Sequence, residues 1–414
     1  MTITTLRAAR VRERGAGEDR SGAGASRAAA TGSAEHRALL VATGGLLLIG
    51  LPIVLAASSV QAVLAGSSPW GDFVRQCIFV VLGLVAATLA SRVPPETIRR
   101  FRFVLPLGVL SLLVVVFLPG IGHYAGGSSR WIGVGPIQVQ PSELMKLALV
   151  VFGADLLARR ARRRDELQAV VIPLVALLGV AGVLIMKQPD LGTTIVLCCI
   201  TFGLLFAANV RLRLICSVAA VVGVVGSGLA LRSAYSRARL LSFVDPFAHA
   251  SGSGYQVVQS LATLGLGGPL GDGVGASPTT WGYLPNSNTD FVFAVLGGNL
   301  GLAGSLAVIA GFAAFGWAGI RVAARERDPF CRFLAVGITV WILCQAIINI
   351  GGVLGALPVT GIPLPFVSYG GSALVVAMTG AGVLVGIARR QRGAPPFAIA
   401  RNPSTGVTAG NPKR

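Results

Sequence analysis

Residues 281–301 read WGYLPNSNTDFVFAVLGGNLG. A polar loop with one proline and two asparagines runs into a single carboxylate, Asp290. From Phe291 the chain turns apolar and stays so to about residue 320, long enough to cross a bilayer as a helix. An acid at the mouth of a membrane helix is costly to keep, so a functional role is its default reading. Asp290 is therefore the candidate catalytic residue, and the rest of the chain is read outward from it.

The 414 residues are 53% hydrophobic and 12% charged, with a mean hydropathy of +0.74. Ordinary soluble domains are about a quarter charged. The apolar runs have helical rather than barrel-strand length, so the expected fold is an all-α polytopic membrane protein. About ten segments are expected, near 38–58, 72–91, 101–119, 142–158, 169–186, 190–208, 212–231, 289–320, 333–354 and 367–388. The net charge of +19 does not indicate nucleic-acid binding, because the arginines sit in tails and short connections. Arg92, Arg99, Arg100 and Arg102, the run from Arg159 to Arg164, Arg211 and Arg213, Arg321 to Arg332, and Arg389 to Arg392 all fall on one side of a ten-span topology. By the positive-inside rule that side, with both termini, is cytoplasmic.

The expected domains are a disordered basic cytoplasmic tail (1–37), a transmembrane domain (38–390) and a disordered cytoplasmic tail (391–414). A large extracellular loop, 232–288, joins the seventh and eighth helices and contains amphipathic pieces expected to lie on the membrane surface. Residues 120–141 form a second, Gly-rich outer loop. Residues 352–372 contain three prolines and repeated glycines and cannot form a regular span, so they are expected to wall an outer cavity. The six cysteines lie in or beside apolar segments without CxxC spacing, which points to neither zinc nor disulfides.

Few ionisable groups remain on the outer side. Glu143, Asp190 and Asp290 share one setting: a polar turn, an acid, then an apolar helix. Capping of the helix N-terminus is the plain explanation for such an acid, and it weighs most for Asp190. Glu143 has Lys146 three residues on, and two charges inside the membrane boundary are expected to pair or face a polar cavity. Arg130 precedes Trp131, a pairing suited to phosphate recognition or to anchoring at the interface.

Five stretches carry a resemblance. SSRWIGVGPIQVQPSELMK, KQPDLGTTIV, GYQVVQSLATLGLGG, LPNSNTDFVFAVLG and LPVTGIPLPFVSYGGSAL, in this order, resemble the SEDS proteins (shape, elongation, division and sporulation), the RodA and FtsW group. The resemblance implies a peptidoglycan glycosyltransferase of the bacterial cytoplasmic membrane, polymerising lipid II on the extracellular face with a class B penicillin-binding protein. It implies that Asp290 is the catalytic base and puts Arg130, Glu143, Lys146, Asp190, Ser368 and Tyr369 on the substrate side. A divalent cation, Mg2+ or Mn2+, is a further expectation, with no residue assigned to hold it. The chain departs from the group's usual LPEAHTDFIFxxxGEELG: Asn286, Asn288 and Gly298-Asn299 stand where relatives carry charge or histidine. A lipid II flippase, or a non-catalytic scaffold that activates a penicillin-binding protein, are the alternatives.

Overall fold

The computed structural model describes residues 34–59, 62–63, 66–119, 122–125, 128–134, 137–160, 167–232, 237, 243–248, 250, 252, 254–276 and 284–393. Most of both expected tails, the arginines at 162, 163 and 164, and much of the first amphipathic piece of the large loop lie outside these residues.

Among the described residues, long helices fall at the ten expected segments. They are α1 (Ala34–Ser59), α2 (Gly71–Arg92), α4 (Val104–Val115), α5 (Pro141–Arg160), α6 (Leu167–Lys187), α7 (Leu191–Ala207), α8 (Leu212–Arg232), α10 (Val292–Arg325), α11 (Pro329–Val353) and α12 (Gly371–Gly393). Two short helices join them, α3 (Pro95–Arg100) and α9 (Tyr255–Leu266). Six helices (α1, α2, α6, α10, α11 and α12) are long and apolar enough to cross a membrane; α4, α7 and α8 are apolar but shorter. Charged residues interrupt α5, and two of them, Glu143 and Lys146, matter below. The protein is thus a multi-pass helical membrane protein, as its composition implies.

The helix α1 starts inside the segment expected to be a disordered tail. Glu35 is buried there because its Oε1 pairs with Arg325 Nη1 at 2.6 Å, tying the start of α1 to the end of α10. At the same end of the bundle, Arg389 donates to the carbonyl of Ser91 and Gln391 to the carboxylate of Glu326. The first and last helices therefore have their outer termini at one basic end, and the loops described next lie at the other.

Burial grades from centre to rim. In α11, 67% of the apolar window is buried, against 17% in α2, whose Ile78, Val81, Val85 and Leu89 face outward. The α2 and α12 backbones meet closely. A Cβ on Gly382 would lie 2.3 Å from the carbonyl oxygen of Ala87, and one on Gly386 would lie 2.5 Å from that of Ser91. Where lipid is as apolar as the helix face, such small-residue contacts let dispersion hold helices together.

The Gly-rich loop of residues 120–141 is more ordered than a loop reading suggests. It contains an antiparallel sheet of β1 (Gly122–Ala125), β2 (Ser128–Val134) and β3 (Ile137–Val139), in strand order β1-β2-β3. Ile132 pairs with Val139 and Val134 with Ile137, so β-branched residues face one another across the ladder.

The large loop also differs from expectation. Its helix α9 is clamped to the bundle: Val257, Ser260 and Thr263 are buried, and Ser260 Oγ donates to the carbonyl of Val353 at 2.8 Å. The following stretch locks onto a break in α10. Gly301 has φ 65° and ψ −160°, a conformation that residues with a Cβ avoid, and it interrupts the helical ladder. The backbone of 268–275 supplies replacement bonds, with Asp272 and Gly273 donating to Gly298 and Asn299, and Leu302 and Ala303 donating to Gly268 and Pro269.

Candidate functional site

Asp290 lies just ahead of α10, whose cap position is Phe291. Its backbone is held from both sides. The Asn349 side-chain nitrogen donates to the Asp290 carbonyl at 2.8 Å and to that of Ile362 at 2.8 Å. The preceding turn folds on Asn286, whose φ of 55° suits an asparagine and whose carbonyl accepts from the amides of Thr289 and Phe291. The Pro-rich loop after α11 holds the other side. Ser368 Oγ donates to the Thr289 carbonyl at 2.6 Å, and the Tyr369 amide donates to that of Asn288 at 2.8 Å.

Asp290, Phe291, Asn349 and residues 359–362 line a small recess of about 10 Å3. The irregular 354–370 backbone is thus placed as expected, lining a cavity at the ends of helices. Ile362, Leu364, Phe366 and Val367 bury its underside. Phe366 adopts φ 65°, strained for a bulky residue, while its ring packs 5.9 Å from that of Phe315.

The expected pairing of Glu143 and Lys146 is present. Lys146 Nζ lies 2.7 Å from Glu143 Oε2, and both side chains are cut off from solvent. The ammonium also donates to Gln345 Oε1 at 2.8 Å and lies 5.5 Å from the centre of the Trp341 ring. Gln345 Nε2 in turn donates to the Pro363 carbonyl at 2.9 Å. One amide therefore connects the buried pair to the loop that holds Asp290.

Asp190 has the capping role weighed for it. Its Oδ1 accepts from the Thr193 amide at the start of α7, and its Oδ2 accepts from Gln140 Nε2 and Ser142 Oγ. Arg130 is turned inward. Its Nε and Nη2 donate to the carbonyls of Gln188 and Pro189 at 2.8 and 2.7 Å, fixing the turn ahead of Asp190. Neither residue lines the Asp290 cleft.

Ser368 lies behind the Asp290 turn with its hydroxyl engaged twice, since it also accepts from the Leu364 amide. The Tyr369 phenol is raised above its ordinary pKa by burial and then by the Asp72 carboxylate, against the pull of Arg75, so it stays neutral. Arg75 thereby joins the loop end of the bundle, where the sequence alone assigned it no role within the second apolar segment. It is largely exposed and 4.0 Å from Asp72. Gln76, Gln345 and Asn349 were likewise unassigned, yet each ties helix to loop. Their signal was present: a carboxamide inside an apolar helix needs a partner, and Gln345 and Asn349 are four residues apart on one face.

Among the described residues no three His, Cys, Asp or Glu side chains gather into a metal-binding group. Asn299, where the resemblance implies an acid, is fully buried and engaged: its Nδ2 donates to Val295 and its Oδ1 accepts from Gly275. Among the described residues the donor set does not form a protein cage for Mg2+ or Mn2+.

Fold and site together define a polytopic helical membrane protein with its polar chemistry gathered at the loop end of the bundle. The chain belongs to the FtsW/RodA/SpoVE family: the family model described as "Cell cycle protein" matches residues 37–393. It is 40% identical over 354 residues to the "Probable peptidoglycan glycosyltransferase FtsW" of Mycobacterium tuberculosis, covering 85% of this chain and 68% of that protein. It is 38% identical over 355 residues to the "Stage V sporulation protein E" of Bacillus subtilis, covering 86% and 97%. Its fold matches a chain from a structure described as "Structural coordination of polymerization and crosslinking by a peptidoglycan synthase complex", with TM-score 0.70, 25% identity, and 85% and 97% of the two chains covered. The Thermus thermophilus rod shape determining protein RodA matches with TM-score 0.63 at 24% identity, over 85% and 96%.

Proposed function

We propose that the chain is a peptidoglycan glycosyltransferase that joins lipid-linked disaccharides of lipid II, with Asp290 as general base. The observation that carries this reading is the fixing of Asp290 beside a small recess by bonds from Asn349, Ser368 and Tyr369 to its own turn. A base that must take a proton in the transition state gains from a backbone that does not reorganise. In the step, a sugar hydroxyl oxygen attacks the anomeric carbon of a second disaccharide. The C–O bond to the lipid pyrophosphate breaks with its electron pair going to the pyrophosphate, and the hydroxyl proton passes to the Asp290 carboxylate. Pyrophosphate leaves without a protonating acid, so one carboxylate suffices.

Among the outer cations, Arg75 is free enough to meet the leaving group, with 71% of its side chain exposed. Arg130 and Lys146 serve the reaction indirectly, by holding the turns around it. No step is assigned to a divalent cation. The recess is about 10 Å3, room for one water-sized group of the substrate rather than a whole sugar, so the disaccharide lies over its mouth. We place the site on the extracellular face of the bacterial cytoplasmic membrane, opposite the basic end, and infer a class B penicillin-binding protein as partner.

The test is polymerisation of fluorescent lipid II by the purified chain with that partner. Wild type is expected to give glycan strands and Asp290→Asn none. Equal product from both removes Asp290 from the chemistry. No product from either, with the complex intact, favours the scaffold.

A further inference from the structure

We propose that the side-chain carbonyl of Asn349 accepts a hydrogen bond from the sugar beside Asp290, given by a hydroxyl or an acetamido N–H. The proposal rests on the glycosyltransferase reading and adds the group that selects and orients its acceptor sugar. The Asn349 amide cannot be reversed. Its nitrogen lies 2.8 Å from two backbone carbonyls, those of Asp290 and Ile362, and a flip would set oxygen against oxygen at both contacts. The oxygen is thereby committed to the remaining direction. There it is buried and has no hydrogen-bond partner among the described residues, although Asn349 is only 5% exposed. Buried carbonyl oxygens in folded proteins almost always find a donor. Asn349 lines the same cleft as Asp290, beside the apolar Phe291, Ile348 and Val353.

The polarity of this corner decides what can fill it. Asp290 and the Asn349 oxygen are both acceptors, and no cation is among the lining residues. A pyrophosphate, itself all acceptor, is repelled here. A sugar edge, carrying hydroxyl and amide donors, matches it. One carboxylate alone takes a proton from whichever hydroxyl approaches. A second, rigid acceptor tied to the backbone of that same carboxylate gives the ring a fixed orientation, so that one hydroxyl is presented to the base.

The experiment measures binding, so its outcome is separate from that of the polymerase assay. The full chain in lipid nanodiscs is titrated with fluorescent lipid II and with analogues that each lack one donor of the terminal sugar, either a single hydroxyl or the acetamido N–H. One analogue is expected to bind wild type about tenfold more weakly, the size of one lost hydrogen bond. That difference is expected to shrink below twofold in Asn349→Ala. If wild type tolerates every analogue within twofold, the oxygen meets only water and the proposal falls. It falls equally if the same analogue loses affinity by the same factor in both proteins. Should Asn349→Ala not fold, Asn349→Ser, whose hydroxyl can still donate to a backbone carbonyl, takes its place with the same expectations. Coupling without glycan product would overturn the polymerase reading alone, and glycan product without coupling this proposal alone.

Discussion

Lys146 and Glu143 form an ion pair at 2.7 Å with neither side chain reaching solvent. A charge left alone in such a place is uncompensated, so losing one partner costs more than losing both. Lys146→Met is expected to destabilise the protein by about 3–5 kcal/mol. The double variant Glu143→Gln with Lys146→Met is expected to recover most of that loss. Chemical unfolding of the detergent-solubilised protein measures both. Additive losses would mean that the two groups do not depend on each other.

Asp155 is the counterpart at the basic end. It is 3% exposed; Arg99 Nε donates to it at 2.5 Å, and Arg159 Nε at 2.8 Å and Arg102 Nε at 3.2 Å form ion pairs with it. The carboxylate thus holds α3 and the segment after it against α5. Asp155→Asn leaves three guanidiniums facing a neutral amide, and a loss of about 1.5–3 kcal/mol is expected, the scale of a charged hydrogen bond. Hydrogen exchange at residues 95–102 should rise selectively. Unchanged protection there would show that the arginines hold this corner without the acid.

The ten helical segments were legible because each writes its own signal, a run of mostly apolar residues, with arginines gathered at the connections on one side. The Glu143–Lys146 pair was legible for the same reason, since residues three apart on a helix are neighbours whatever the tertiary fold. What escaped depends on distant contacts. Arg130 beside Trp131 suggested phosphate binding, but its guanidinium is committed to carbonyls 58 and 59 residues away. Asn299 read as a lost charge, whereas it is the pin that holds the large loop to the broken helix. Gly301 read as one glycine among many in an apolar run, and only its partners in 268–270 show why α10 breaks there.

That pin can be pulled. Asn299→Ala removes the acceptor for the Gly275 amide and the donor to Val295, leaving buried backbone groups unpaired. A loss of about 1–3 kcal/mol is expected. Gly271→Ala should be worse, because φ is 79° and the new Cβ would lie 2.2 Å from the Asn299 carbonyl oxygen. Hydrogen exchange over 267–276 is expected to rise in both variants while residues 329–353 stay protected. Loosening of α11 to the same degree would mean that the loop is part of the bundle core rather than clipped to it.

Ser368 offers the most direct link between fold and chemistry. Its hydroxyl donates to the Thr289 carbonyl at 2.6 Å and accepts from the Leu364 amide at 2.8 Å, so one oxygen joins the Pro-rich loop to the turn carrying Asp290. Ser368→Ala leaves both backbone groups without that partner while touching neither the Asp290 carboxylate nor the cleft beside it. The expected global loss is about 1–3 kcal/mol. Because the freed turn no longer holds Asp290 in register, polymerisation of lipid II should fall about tenfold or more, even at temperatures where the variant remains folded, since a small misplacement of a reacting group is costly. The fall should appear in the turnover rate more than in lipid II binding, which the turn does not itself provide. A variant that loses binding and turnover in parallel would assign Ser368 to substrate contact instead.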